Sequence, residues 1–164
     1  MSVNPVRILP DLQFSVVCED LRREITGKFI IIGVVDAIVV PSLPFRLGRL
    51  FVFNRWACGV GDFIESVKLI APDDSTILAK TDVKFVLQSP LETASTVSVF
   101  NGIELKTQGF YYIEVTVDDV RKIRVPINVV VAPRQQQGQE TEQKKQEQTP
   151  QPASQDIQNN ENKT

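Results

Sequence analysis

The side chains able to do chemistry in this chain are few and scattered. Histidine is absent, which removes the commonest general base and the commonest metal ligand. The two cysteines, Cys18 and Cys58, do not form a Cys-x-x-Cys pair, so nothing indicates a thiolate zinc site or a redox dithiol. Cys18 stands among apolar residues and is expected to be buried, whereas Cys58 begins a glycine-containing turn and is the candidate reactive thiol.

Two further patterns suggest ligand chemistry but have simpler explanations. Residues 58–62 (CGVGD) superficially suggest a phosphate loop, yet the Gly-Lys ending and the following helix are both missing. The carboxylates of Asp62, of the pair Asp73-Asp74 and of the pair Asp118-Asp119 are the oxygen ligands that a calcium site at one end of a β-sandwich would use. Turn formation explains each pair without metal. We therefore expect no catalytic residue, no metal and no cofactor.

A dense run of charge is the most distinctive local feature. Five of the six positions from 19 to 24 are charged, namely Glu19, Asp20, Arg22, Arg23 and Glu24. Alternation along a strand would place Asp20, Arg22 and Glu24 on one side and the other two on the opposite side. The run is either a solvated hairpin end with cross-strand ion pairs or a surface that recognises a partner, and we take these five residues as the candidate partner-binding site.

The overall charge gives little support for a nucleic-acid binder. The formal net charge is −2, and residues 1–133 carry 14 basic against 15 acidic side chains. Residues 21–61 are the exception, with six basic side chains (Arg22, Arg23, Lys28, Arg46, Arg49, Arg55) against two acidic ones. This basic 21–61 segment, with Phe51, Phe53 and Trp56 beside its arginines, keeps open the binding of nucleic acid or of an anionic small ligand.

Turn signals divide the chain into short β-rich segments. Hairpins are expected between residues 13–19 and 28–34, between 49–56 and 63–71, and around Asp118-Asp119, with further strands at 37–40, 76–80, 83–88 and 95–105. Pro126 should mark a bend, a change of partner or an edge. About eight short strands without helical periodicity predict an all-β, immunoglobulin-like β-sandwich, in which Tyr111 would brace a corner as in many such sandwiches.

The chain length and composition predict one domain followed by a tail. Residues 1–133 are expected to form the domain, and residues 134–164, of which 10 in 31 are glutamine, a disordered tail. The most apolar stretch, residues 29–40, is shorter than the roughly 20 residues that span a bilayer and is predicted to be a buried strand rather than a membrane segment. With no secretory leader pattern at the start, a cytoplasmic location is expected.

One stretch of the chain resembles a known family. The run 17–24 (VCEDLRRE), read as Cys-Glu-Asp-x-Arg-x-Glu, followed by Gly27-Lys28 and Gly33, is similar to the opening hairpin of an uncharacterised bacterial domain-of-unknown-function family, and residues 109–126 also fit. The resemblance spans most of residues 13–132. It implies a bacterial or phage source, and it implies no activity.

These observations favour a non-enzymatic protein-interaction or adaptor module. The alternative is the binding of nucleic acid or of an anionic ligand through the basic 21–61 segment. The expected partner is another protein rather than a membrane, and the oligomeric state is left open.

Removal of the tail is expected to leave the domain folded, because the tail has a single sizeable apolar side chain, Ile157. A chain ending at Pro133 should melt within about 2 °C of the full chain, which is less than the shift that a 1 kcal/mol loss produces. Thermal unfolding followed by circular dichroism measures this, and a fall of about 10 °C would mean that the tail packs on the domain.

Overall fold

The computed structural model describes residues 7–133, and the regular structure within them consists of nine β-strands. Their bounds are β1 Asp11–Arg23, β2 Phe29–Val34, β3 Ala37–Val40, β4 Phe45–Ala57, β5 Gly61–Ile70, β6 Ile77–Leu87, β7 Thr93–Leu105, β8 Gly109–Val117 and β9 Val120–Val131. Three of the strands are 13 residues long, so they are longer than the short strands predicted. The predicted strands at 76–80 and 83–88 are one strand, β6.

The strands form two sheets. The front sheet has the order β2-β1-β4-β7, and the back sheet has the order β3-β9-β8-β5-β6. All the pairings are antiparallel except that of β3 with β9, in which Ala37 lies opposite Asn128. Because β4 pairs with β7 in one sheet while β5, β8 and β9 are neighbours in the other, the fold is an immunoglobulin-like β-sandwich, as the sequence predicts. The β1–β2 hairpin extends the front sheet.

The predicted hairpin between β4 and β5 is wrong. These strands belong to different sheets, and residues 58–60 carry the chain from one layer to the other. Cys58 has a φ of 59°, a left-handed conformation that occurs in hairpin turns and in crossovers alike. The local turn signal therefore could not show which strand each segment would pair with.

The core lies between the two inner faces. On β5 the alternate residues Phe63, Val67 and Leu69 are buried, and the alternate residues Ile113, Val115 and Val117 of β8 are completely buried beside them. From β4 the core receives Leu50, Val52 and Trp56, whose ring stacks on that of Phe85 with centroids 5.4 Å apart. The intervening residues Phe51 and Phe53 face the outer side of the front sheet, since strand side chains alternate.

The C-terminal hairpin follows the prediction. β8 and β9 pair around Asp118 and Asp119, whose φ values of 45° and 65° suit the tight turns that join such strands. Pro126 pairs with Tyr112 of β8 and lies just before Asn128, where β9 gains β3 as a second neighbour. β9 keeps β8 as a partner through Val129, so Pro126 lies where β9 still has a free edge, which is one of the three predicted alternatives.

The predicted tyrosine corner is also present. The Tyr111 side chain is buried, and its hydroxyl donates to the carbonyl oxygen of Thr107 over 2.8 Å. This bond ties the start of β8 to the loop that brings the chain across from the front sheet.

The prediction of a disordered tail at 134–164 lies outside the described residues. Within the part of the chain that is described, no helix is long and apolar enough to cross a membrane.

Replacement of Tyr111 by phenylalanine should destabilise the sandwich by about 1 kcal/mol, the usual contribution of one such hydrogen bond. For a domain of this size the melting temperature should fall by about 3 to 5 °C. The matched control is Tyr112→Phe, because the Tyr112 ring contacts the Arg124 guanidinium at 4.1 Å through its face, which phenylalanine retains. Equal melting temperatures for the two variants would contradict a bracing role for Tyr111.

Candidate interaction surface

The charged run 19–24 lies at the open end of the β1–β2 hairpin. β1 pairs with β2 from Cys18, opposite Val34, to Arg23, opposite Phe29. The backbone N–H of Glu24 donates to the carbonyl of Lys28 over 2.8 Å, and that of Gly27 donates to the carbonyl of Glu24 over 2.9 Å. Gly27 has a φ of 87°, so the Thr26-Gly27 turn forms where the sequence predicts it.

The five candidate site residues make local contacts within this hairpin. The Arg22 Nε donates to Asp20 Oδ2 over 3.1 Å, so these two side chains share a face as predicted. Arg23 lies over the Phe29 ring at 5.6 Å, and the Thr26 hydroxyl donates to Glu24 Oε2 over 2.9 Å. Glu19 is exposed and lies against Gly33.

Cross-strand ion pairs, which one of the two interpretations of the charged run requires, are not formed within this hairpin. Asp20 lies opposite Ile32, Arg22 lies opposite Ile30, and Arg23 lies opposite Phe29. Charges on β1 thus face apolar side chains on β2. The two strands together present a surface with an apolar row and a charged row side by side.

The hairpin folds back over the outer face of the front sheet. Phe53 pairs with Val16, whereas Phe29 pairs with Arg23, seven residues further along β1. A straight strand would separate those levels by about 23 Å, at 3.3 Å per residue. The Phe29 and Phe53 ring centroids are nevertheless 4.8 Å apart, so the hairpin must bend back. It covers Phe53, which is buried although it faces outward from the core.

The opposite side of β2 is exposed. Ile30, Ile32 and Val34 have 42%, 38% and 63% of their surface accessible, and they occupy alternate positions of one strand. β2 is also one of the two end strands of the front sheet, the other being β7. The prediction that residues 29–40 form a buried strand is therefore wrong for β2. An unbroken apolar run is typical of a strand covered on both faces, and here only one face is covered.

The six basic residues of the 21–61 segment are not gathered in one place in the folded structure. Three of its basic residues lie on the hairpin and its turn, and the other three lie on β4. On β4 the guanidinium of Arg49 lies 6.0 Å from the centre of the Phe51 ring, and Arg55 donates to Thr93 Oγ1 over 3.3 Å. Phe51, Phe53 and Trp56 are all buried, so their rings are not available to stack on bases.

Glu65 is a polar residue whose importance the sequence analysis missed. It is completely buried between the sheets, where its Oε2 accepts from Trp56 Nε1 and from Thr96 Oγ1, each over 2.5 Å. Its Oε1 accepts from Asn54 Nδ2 over 3.1 Å. Burial raises the pKa of Glu65 above its ordinary value of 4.5, although the three hydrogen bonds act in the opposite direction. The signal in the sequence that could have predicted this burial is the alternation along β5, which places Glu65 on the same face as Phe63 and Val67.

The remaining candidate groups lie in turns or in the core. Cys18 is buried, and burial raises the pKa of its thiol, with the nearby Asp20 carboxylate adding to the shift; Cys58 is exposed. Hydrogen bonds from Thr76 and Ser75 lower the pKa of Asp73 to about 2, as expected of a carboxylate that caps its own turn. Asp118 accepts from Arg7 and from the backbone of Ile64. Within residues 7–133 there is no group of three or more Cys, Asp or Glu side chains placed to hold a metal ion.

The fold and this hairpin define an immunoglobulin-like domain with an added N-terminal β-hairpin. The chain belongs to a family of unknown function, DUF6941, whose model matches residues 13–130. No curated protein matches the chain.

Among solved structures, a β-D-glucoside glucohydrolase from Trichoderma reesei is similar at a TM-score of 0.43 and 9% identity, over 75% of this chain. The matched region is 19% of that enzyme, so the chain corresponds to about a fifth of its length. A similarity this weak carries no argument about fold or activity.

Replacing Glu65 with glutamine should stabilise the domain more at pH 8 than at pH 5. The folded-state pKa of Glu65 is raised, so the stability that its protonated form contributes is fully present below the unfolded pKa and is lost as the pH rises through the folded value. Glutamine stays neutral, and rotation of the Asn54 amide would turn its unpartnered Oδ1 toward the new amide.

Urea unfolding of the Glu65→Gln variant and of the unchanged protein at pH 5 and pH 8 measures this effect. At each pH, the difference in the free energy of unfolding between the two proteins cancels the contributions of the other carboxylates. Glu104→Gln, on an exposed residue, is the control and should show no such pH dependence. The expectation fails if Glu65→Gln changes the free energy of unfolding equally at pH 5 and pH 8.

Proposed function

We propose that this domain is a non-enzymatic protein-interaction module, and that it docks through the β1–β2 hairpin onto an extended segment of another protein chain. The observation that carries the proposal is the free edge of β2, which bears the exposed row Ile30, Ile32 and Val34. An end strand presents unpaired backbone groups to which a further strand can add, and alternate side chains then provide specificity.

The composition of β2 supports a docking edge. Its sequence FIIIGV contains no charged residue and no proline, which are the features that usually protect an end strand from pairing. β6, one of the two end strands of the back sheet, carries the charged side chains of Lys80, Asp82 and Lys84. β3, at the other end of the back sheet, has neither feature but is only four residues long.

The surface also indicates the chemistry of the partner segment. The segment should be extended, with apolar side chains at alternate positions that cover Ile30, Ile32 and Val34. Asp20 and Arg22 lie in the next row and would form a polar rim, which influences association rate and specificity more than affinity. Lys28 and Asp36, one at each end of β2, would favour opposite charges at the two ends of the bound segment.

The position of the reactive groups agrees with a binding role. Glu65 is sealed in the core, Asp73 caps its own turn, and Cys58 lies in the link between β4 and β5. The alternative of an anionic ligand bound by the basic 21–61 segment is less well supported, because the basic residues are divided between the hairpin and β4. Retention on heparin that modest salt abolishes would favour that alternative.

The proposal includes a bacterial cytoplasmic location. Its support is the family resemblance and the free, exposed thiol of Cys58, which would persist in a reducing compartment.

The test compares two substitutions of exposed isoleucines. Ile32→Lys places a charge in the centre of the apolar row, and Ile64→Lys makes the same change on β5, where Ile64 is 45% exposed. We expect affinity capture from the native cell extract, quantified by mass spectrometry, to lose its main partner at least about tenfold with Ile32→Lys, equivalent to about 1.4 kcal/mol. Ile64→Lys should capture as much as the unchanged protein.

The double variant Arg22→Glu, Arg23→Glu tests the charged rim. It should weaken capture while leaving the circular dichroism spectrum and melting temperature close to those of the unchanged protein, since exposed charges contribute little to folding. If folded Ile32→Lys protein captures the same partners in the same amounts, the hairpin is not the docking surface.

A further inference from the structure

We infer that residues 19–34, the outer part of the β1–β2 hairpin, form a hinged flap that opens from the outer face of the front sheet while both sheets stay folded. Opening uncovers the Phe53 ring and the Cys18 thiol, which gives the domain a second apolar surface. That surface lies beneath the flap, on the side opposite the exposed row of β2, so the inference does not depend on what binds the β2 edge.

Backbone pairing joins the flap to the rest of the described chain only at its base. β1 pairs with β4 from Asp11 to Cys18, and beyond Cys18 its one partner is β2. β2 in turn pairs with β1 alone. The flap is therefore a two-stranded hairpin that projects from the sheet, and such a hairpin is only marginally stable unless it packs on something.

The side-chain hydrogen bonds and ion pairs of the flap are internal to it. Among the described residues they join Leu21 to Asp20, Arg22 to Asp20, Arg23 to Gly27, and Thr26 to Glu24. The flap is held against the sheet by the contact between the rings of Phe29 and Phe53, whose centroids are 4.8 Å apart. Separating two aromatic rings leaves no hydrogen-bonding group without a partner, so the flap can lift without breaking polar bonds to the sheet.

The backbone is irregular near the base of the flap, where a hinge is needed. Near the tip the N–H of Glu24 donates to the carbonyl of Lys28, and at the base the N–H of Val35 donates to the carbonyl of Val17. In a regular antiparallel ladder the hydrogen-bonded pairs recur at every second residue, so these two pairs, seven residues apart, cannot belong to one uninterrupted ladder. Gly33 lies between them with a φ of 66°, outside the extended region. This interruption is where the flap turns.

Cys18 lies beneath the flap and reports on its opening. Val17 belongs to the core between the sheets, so Cys18, the next residue, faces the outer side, where it lies opposite Phe51 of β4 and Val34 of β2. It is completely buried, although in the described part of the chain the flap is the only element folded over this face. The burial of its thiol therefore depends on the flap staying closed.

The first experiment follows the modification of Cys18 by iodoacetamide in the full chain, with peptide mass spectrometry to resolve the two cysteines. The exposed Cys58 is the internal reference for the reagent. Opening of the flap exposes little surface, so the Cys18 rate should depend only weakly on urea while the fluorescence of Trp56, the single tryptophan, shows the core to be intact. The inference is overturned if Cys18 is not modified in the folded protein, or if its rate rises with urea as steeply as global unfolding does.

The second experiment removes the contact that holds the flap. Phe29→Ala deletes the ring that packs on Phe53, and the matched control, Phe110→Ala, deletes a ring on β8 that is 55% exposed. We expect Phe29→Ala to raise the Cys18 rate, relative to that of Cys58, by about tenfold, and Phe110→Ala to leave it unchanged. Phe29→Leu keeps an apolar side chain, so it should give a smaller increase and serves as the test if Phe29→Ala does not fold. Equal Cys18 rates in the Phe29 and Phe110 variants would overturn the inference.

Discussion

The contact between Phe29 and Phe53 is the constraint on which the surface of this domain depends. Phe51 and Phe53 project from the outer face of the front sheet, where without a cover they would be exposed to water. The bent hairpin covers Phe53, because it brings the rings of Phe29 and Phe53 within 4.8 Å, and the Phe14 ring of β1 lies 5.6 Å from the same side chain. Because strand residues alternate between faces, turning Phe29 inward turns Ile30, Ile32 and Val34 outward. Burial of one side of β2 thus produces the apolar row on the other.

In the interior, a cluster of polar side chains around Glu65 connects the two sheets. Glu65 of β5 receives hydrogen bonds from Trp56 of β4 and Thr96 of β7, so one carboxylate joins strands of both layers. A buried carboxylate is costly unless it is hydrogen-bonded, and the three donors around Glu65 reduce that cost. Truncating the side chain would leave all three donors without this acceptor. The Glu65 cluster therefore contacts the inner face of the front sheet, and the β1–β2 hairpin packs against its outer face.

Sequence reasoning was most reliable where the signal was local. The turn at Thr26-Gly27, the hairpin at Asp118-Asp119, the short strand 37–40 and the bracing Tyr111 were all predicted, because each depends on a few adjacent residues. It was wrong where the outcome depended on distant residues. The turn at Cys58 joins strands of different sheets, and the apolar β2 has an exposed face. Neither outcome is visible in a window of adjacent side chains.

The sequence by itself determined the class of the protein: the alternation of apolar residues and the spacing of the turns are enough to require strands packed in two layers. It also located the charged hairpin that contains the candidate site residues Glu19, Asp20, Arg22, Arg23 and Glu24. Only the tertiary structure decided that this hairpin bends over Phe53, that its charges lie beside an exposed row of β2, and that Glu65 is sealed between the sheets. The reason is physical: strand pairing and side-chain burial are set by residues far apart in the chain, whose proximity is established only when the sheets pack.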